Sequence, residues 1–266
     1  MTDTAAPVLY DVTDGVARIT LNRPDAMNAL DMAIKEALKA AVDRVGADPD
    51  VRVVVLTGSG RSFCVGQDLR EHIANMSSKS MEEVWSTVPE HFTPIAAGIA
   101  EMDKPVVAAV NGVAAGAGAS LAFLCDFRLV ADSAGFNTAF AGIGLSCDTG
   151  ASWTLPRLVG REKALELLMM PRTVPAAEAL ELGLATRVVP ADDLDKEVSA
   201  LAATLAEGPT LAYGAVRRSV TYAATHSLAE SLAFEGEMMA RTGSSDDHRN
   251  AVKSFIDKQK PTFQGR

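Results

Sequence analysis

The run from Val51 to Thr57, VRVVVLT, constrains this chain more than any other segment. Its apolar residues do not alternate with polar ones, so a strand built from it must be covered on both faces. Strands of that kind sit in parallel sheets, whose neighbours are joined by long crossovers. A crossover is visible just upstream. Ile34, Leu38, Ala41, Val42 and Val45 recur at helical spacing, with Asp31 in the first turn and Gly46 near the end. Further strands are predicted over Val106–Val110, Phe127–Val130 and Arg187–Val189, with a helix from about Gly118. Near the start, Val8–Val12 and Val16–Leu21 flank the turn signal Asp14-Gly15. In the second of these, Ala17, Ile19 and Leu21 alternate with Arg18 and Thr20, which predicts one face in water. This alternation of strand and helix gives an α/β fold class. Arg70–Glu90 is polar, irregular and rich in Ser, Met and Glu, and reads as a mobile helix or lid. Pro175 opens a helix that Gly183 stops. From Asp192 onward only helical periods remain, so the chain divides into a core over 1–191 and a helical region over 192–266.

Charge and cysteine usage narrow the function. With 25 basic and 34 acidic residues the net charge is −9, which argues against a nucleic-acid partner. Cys64, Cys125 and Cys147 are widely spaced without a C-x-x-C, so reduced thiols and a cytoplasmic location are expected. The N-terminus, MTDTAAPVLYD, is short, polar and acidic, unlike a targeting peptide. Between Lys104 and Asp126 no residue is charged, and Gly112 and Gly116 form a G-x-x-x-G. Pro105 and the Asn111-Gly112 turn signal break that stretch, so strand, turn and buried helix are expected there rather than a membrane span. GSGRSF and GAGASL place Phe63 and Leu121 where a dinucleotide loop needs glycine. Around Ser120, GASLA misses the esterase elbow at Ala122. His72, His91, His226 and His248 show no metal-ligand spacing, so no metal site is expected.

Two strand-to-loop junctions remain, VVVLTGSGRSFCVGQDL and KPVVAAVNGVAAGAGASLAF. Loops at the carboxyl ends of parallel strands are where α/β folds place ligands. Backbone N–H groups freed in such turns favour negative charge, and two that converge stabilise an oxyanion. Close packing of backbone at two tight turns would explain the same glycines.

Six stretches together resemble the crotonase (enoyl-CoA hydratase/isomerase) family: ITLNRPDAMNAL, the two junctions extended to LCD, AFAGIGLSCDTGASWTLPRLVG, AAEALELGLATRVV and DKQKPTFQGR. The resemblance implies a ββα spiral with a C-terminal helical trimerisation region, assembling as a homotrimer or a dimer of trimers. It implies an acyl-CoA substrate, with coenzyme A bound only as part of the thioester. It places the oxyanion N–H groups on Gln67 and Ala117. It places contacts to the coenzyme A portion at Arg23, Ala26, Cys64, Gly66, Asp68, Gly116 and Lys258, with Lys260 and Phe263 as further tail candidates.

The family's hydratases carry two glutamates, and their positions fall here on Ser120 and Phe140. A two-glutamate hydratase is therefore not expected. The remaining acid is Asp148, in an arrangement similar to the family's 1,2-epoxyphenylacetyl-CoA isomerase-like members. One carboxylate suffices for double-bond isomerisation, because one base can take a proton from one carbon and return it to another. Phe140, Leu145 and Trp153 are candidates to desolvate it. From the residues alone, Asp148 reads first as a helix N-cap ahead of Thr149–Leu155, and only the resemblance favours catalysis. An enoyl-CoA isomerase is the leading expectation. A hydratase, a hydrolase or dehalogenase-like activity, and a non-catalytic acyl-CoA-binding protein are the alternatives.

Overall fold

The computed structural model describes residues 6–266, so the first five residues, on which part of the targeting-peptide reading rests, lie outside it. Among the described residues ten strands form two sheets: β1 (Val8–Thr13), β2 (Val16–Leu21), β3 (Val53–Gly58), β4 (Ser62–Cys64), β5 (Val106–Val110), β6 (Val113–Ala115), β7 (Phe127–Ala131), β8 (Gly135–Asn137), β9 (Val174–Pro175) and β10 (Arg187–Val189). The larger sheet has the order β1-β2-β3-β5-β7-β10 and the smaller one β4-β6-β8-β9. Apart from the β1–β2 hairpin, every pairing in the larger sheet is parallel. Three consecutive pairs, β3–β4, β5–β6 and β7–β8, each give one strand to each sheet. The chain therefore winds as repeated ββ units stacked side by side.

The described residues also form eleven α-helices: α1 (Met32–Ala47), α2 (Leu69–Ser78), α3 (Met81–Trp85), α4 (Thr93–Glu101), α5 (Ala117–Leu124), α6 (Ala151–Met169, broken at Gly160), α7 (Ala176–Glu181), α8 (Leu194–Ala206), α9 (Thr210–Ala223), α10 (Leu228–Gly243) and α11 (Asp246–Ile256). The sequence pattern foretells many of these. All of β3 is buried, as its unbroken apolar run requires, and β2 alternates buried and half-buried residues. The five periodic apolar residues of α1 are all buried, and Asp31 caps the helix by accepting the Ile34 N–H at 3.0 Å. The uncharged stretch after Lys104 folds as β5, a turn, β6 and α5. No helix among the described residues is long and apolar enough to cross a membrane.

The structure also places two further segments. The segment Arg70–Glu90 folds as α2, α3 and the start of a π-helical turn, Val88–Phe92, that runs into α4. Of the helices after residue 192, α8 packs across β2, β3, β5 and β7 with Val198 and Ala202 buried. By contrast α10 and α11 leave Leu228, Leu232, Met239, Phe255 and Ile256 exposed.

Candidate active site

The smaller sheet positions the site. Three of its parallel strands, β4, β6 and β8, release the chain into Val65–Gln67, Gly116–Ala117 and Ala139–Phe140. All of these residues line one cavity of about 440 Å³, the carboxyl-end position that α/β sheets use for ligands. The glycine-rich loops thus follow the short strands β4 and β6, not the long buried strands that precede them in sequence. Asn28 holds the first junction in place. Its amide, buried and at φ 55°, donates to the carbonyls of Ser59, Ser62 and Phe63 at 2.8–3.2 Å.

The loops that carry the two candidate N–H donors meet. A Cβ on Gly66 would stand 2.9 Å from the Ala115 oxygen and 3.2 Å from the Ala117 nitrogen, so the loops touch through their backbones. The φ of +83° at Gly66 is open to glycine without strain. Gln67 forms an isolated parallel bridge with Leu30: the Leu30 N–H donates to Gly66 O at 2.7 Å, and the Asp68 N–H donates to Leu30 O at 3.2 Å. In a parallel ladder those bonds belong to the residues flanking Gln67, so its own N–H faces the other way. No described group accepts it. Ala117 opens α5, where first-turn N–H groups have no intrahelical acceptor, and Gly116 offers no side chain to cap it. Close packing is real as well. A Cβ on Gly118 would sit 2.2 Å from the Cys64 carbonyl oxygen and 2.7 Å from its carbon. We expect Gly118→Ala to cost about 1–3 kcal/mol or more by overpacking backbone against backbone, read as a lowered urea midpoint.

Asp148 lines the same cavity, and it is the one carboxylate among the lining residues. It does not cap α6: the helix starts at Ala151 behind Gly150, and the carboxyl instead accepts the Thr149 hydroxyl at 2.8 Å. Burial raises its pKa above the ordinary carboxylate value, and the Thr149 bond offsets only part of that. Phe140 and Leu145 share its cavity, whereas Trp153 does not. That residue lines a separate cavity with Arg157 and α9. Ser120 is buried with its hydroxyl donating to Gly116 O at 3.1 Å, and Phe140 is apolar, so neither hydratase position supplies a carboxylate.

The candidate coenzyme A contacts scatter. Gly66 and Gly116 line the cavity. Arg23 and Asp68 pair with each other through a short hydrogen bond, and Arg23 also reaches Asp31 at 3.2 Å. Burial alone would raise the Asp68 carboxyl, but bonds from Arg23 and from the Glu71 and Arg70 N–H groups hold its pKa below the ordinary value. Ala26 is half-buried on the turn Pro24–Ala26. Cys64 is sealed inside the fold, with its thiol pushed up to about 12, and it supports Gly66 from beneath rather than lining the cavity. Lys258 is exposed on the turn after α11, and Lys260 and Phe263 line a different cavity beside Arg52. Two lining residues carry no sequence signal of their own, His72 on α2 and Thr87 beside the π-helical turn. His72 packs against Trp85 with ring centroids 5.3 Å apart. Its spacing of three from Leu69, another lining residue, is the pattern that marks a shared helix face.

The profile of the enoyl-CoA hydratase/isomerase family matches residues 11–266. The chain belongs to that family, the crotonases. It is 36% identical to the 1,2-epoxyphenylacetyl-CoA isomerase of Escherichia coli, over 97% of this chain and 98% of the relative. It is 40% identical to a Rhodobacter capsulatus protein assigned as an enoyl-CoA hydratase, over the same shares. A crystal structure from Mycobacterium abscessus, assigned to the enoyl-CoA hydratases/isomerases, superposes with a TM-score of 0.93 at 40% identity, covering 97% of this chain and all of that one. The fold is thus the crotonase fold that the sequence resemblance implies, and the protein is a crotonase-family enoyl-CoA hydratase/isomerase.

Proposed function

We propose that this crotonase is an acyl-CoA double-bond isomerase. The observation that carries the reading is the single, desolvated carboxylate of Asp148 in one cavity with two unspent backbone N–H groups. The thioester oxygen accepts from Gln67 N–H and Ala117 N–H. As the base removes a proton from carbon, charge moves onto that oxygen as an enolate, where preorganised donors stabilise it most. The dipole of α5, whose N-terminus is Ala117, adds to the same effect. Asp148 takes the proton and returns it two carbons along, so the double bond shifts and the carboxylate is regenerated. A raised pKa suits both halves of that cycle.

Hydration asks for more. A water must be activated while a proton is delivered elsewhere, and the two positions that do this in the family's hydratases offer Ser120 and Phe140. One observation favours a second reading, a hydratase or hydrolase in which Asp148 directs water: His72 lines the cavity and is a second proton-transfer group. The two readings separate by product. Incubated with a β,γ-enoyl-CoA, the protein is expected to form the conjugated α,β-enoyl thioester, followed by its ultraviolet absorbance. Formation of only a 3-hydroxyacyl-CoA or of free coenzyme A thiol from either thioester would overturn the isomerase. Exposed Val216, Val220, Leu228 and Phe255 support a homotrimer or dimer of trimers. Three free thiols support a cytoplasmic setting.

A further inference from the structure

Lys35 is among the largest fully buried side chains of the described residues, 1% exposed, on the apolar face of α1 beside Ile34 and Leu38. A lysine there must have a reason to be held, since burial of an ammonium is costly unless its donors are used. Its Nζ donates to Thr87 Oγ1 at 2.9 Å and to Gln67 Oε1 at 3.3 Å, and contacts Glu71 Oε1 at 3.5 Å. The Phe92 ring centroid lies 5.6 Å away. Burial lowers the Lys35 pKa, while the Glu71 carboxylate works to keep the proton on.

Gln67, Thr87 and Phe92 all line the acyl cavity, and Lys35 stands behind them. An ammonium only donates, so each partner must present an acceptor to it. That fixes the Gln67 amide with Oε1 turned inward and its NH₂ turned away. One of those N–H groups reaches Asp68 O at 3.4 Å, and the other has no described acceptor. Thr87 Oγ1 likewise spends a lone pair on Lys35, which leaves its hydroxyl proton to give. Its other contact is His91 Nδ1, at a long 3.4 Å. The remaining wall is dominated by Val65, Leu69, Val88, Phe140, Ile143 and Leu145. This stretch of the wall therefore adds donors to a lining that is otherwise apolar but for His72, Ser146, Cys147 and Asp148.

We propose that Lys35, by donating from behind to Gln67 and Thr87, turns both into hydrogen-bond donors toward the acyl space and so selects acyl groups bearing an accepting oxygen over plain hydrocarbon ones. The proposal rests on the acyl-CoA reading of the cavity, and it makes Lys35 a positioning residue rather than a catalytic one. A site built to satisfy an oxygen loses most when the oxygen is missing, because its buried donors are then unpaired.

Binding by calorimetry tests this without turnover. The probes are hexanoyl-CoA and a set of hexanoyl-CoA analogues carrying a keto or hydroxyl oxygen at successive carbons beyond the β position. In the unaltered protein at least one oxygenated analogue is expected to bind about tenfold more tightly than hexanoyl-CoA, the size of one such hydrogen bond. In Lys35→Met and in Thr87→Val that ratio is expected to fall toward one. The proposal is overturned if no analogue outbinds hexanoyl-CoA, or if the preference survives in both variants. Should Lys35→Met fail to fold, the unaltered protein and Thr87→Val decide alone. If no thioester binds, hexanoyl-CoA included, the acyl-CoA reading itself has failed and the proposal falls with it.

Discussion

Replacing Asp148 with Asn is expected to lower the isomerisation rate by about a hundredfold to ten-thousandfold, the contribution of a positioned acid–base group. Asn keeps the shape and can still accept from Thr149, whose hydroxyl is the carboxyl's one partner among the described residues. Loss of rate therefore reports loss of the base. The pH profile is the sharper check. Burial raises the Asp148 pKa above its unfolded value of about 3.9. The isomerising form is the carboxylate, so kcat/KM rises with pH through that elevated pKa, and the variant lacks this limb. Stability moves oppositely. The folded state binds the Asp148 proton more tightly than the unfolded chain, so its stabilising contribution is complete below about pH 3.9 and is lost as pH climbs through the folded pKa. Asn has no such penalty, and Asp148→Asn is expected to melt no lower than the parent at neutral pH. A variant that isomerises a β,γ-enoyl-CoA at the parental rate would remove Asp148 from the mechanism.

The second large effect is expected from Ala117→Pro. Proline lacks the N–H, and its ring Cδ occupies the space where that hydrogen pointed. At the first position of a helix proline is otherwise well tolerated, because no intrahelical bond is lost there. Ala117 holds that position in α5, behind the φ +52° of Gly116. Removing one oxyanion donor costs about a hundredfold to a thousandfold in kcat. The melting temperature, read in parallel, is expected to shift by only a few degrees. Rates within about threefold of the parent would show that Ala117 N–H does not hold the reacting oxygen.

Both variants act on the enolate, one at its proton and one at its charge. They are therefore expected not to multiply: once the base is gone, losing a donor costs less than it does in the parent, as groups acting on one step behave.

Much of this was legible in the chain, wherever local physics decides. The strand over 53–58 follows from an apolar run that only a doubly covered position tolerates, and β2 from its period of two. The faces of α1 follow from 3.6-residue spacing, and its start from Asp31. The glycine-rich turns mark where backbone approaches backbone, which Gly66 and Gly118 bear out atom by atom. The motifs in series carry the signature of the family. The short strands β4, β6, β8 and β9 were not legible, since two or three residues carry no period and are strands only because a neighbour pairs with them.

What only the tertiary structure decided is which side chains share a space. Sequence position put Trp153 near Asp148, yet one turn of α6 carries that ring to another cavity. From the residues alone an N-cap is the better reading of Asp148, but the helix begins two residues later and leaves Asp148 on the cavity wall. Cys64 sits in a site motif but beneath the floor, and Lys35, in a helix 32 residues away from Gln67, reaches its amide. Periodicity tells which way a residue faces along its own element, and burial follows from that. Contact between elements depends on how the ββ units stack, which no single segment encodes.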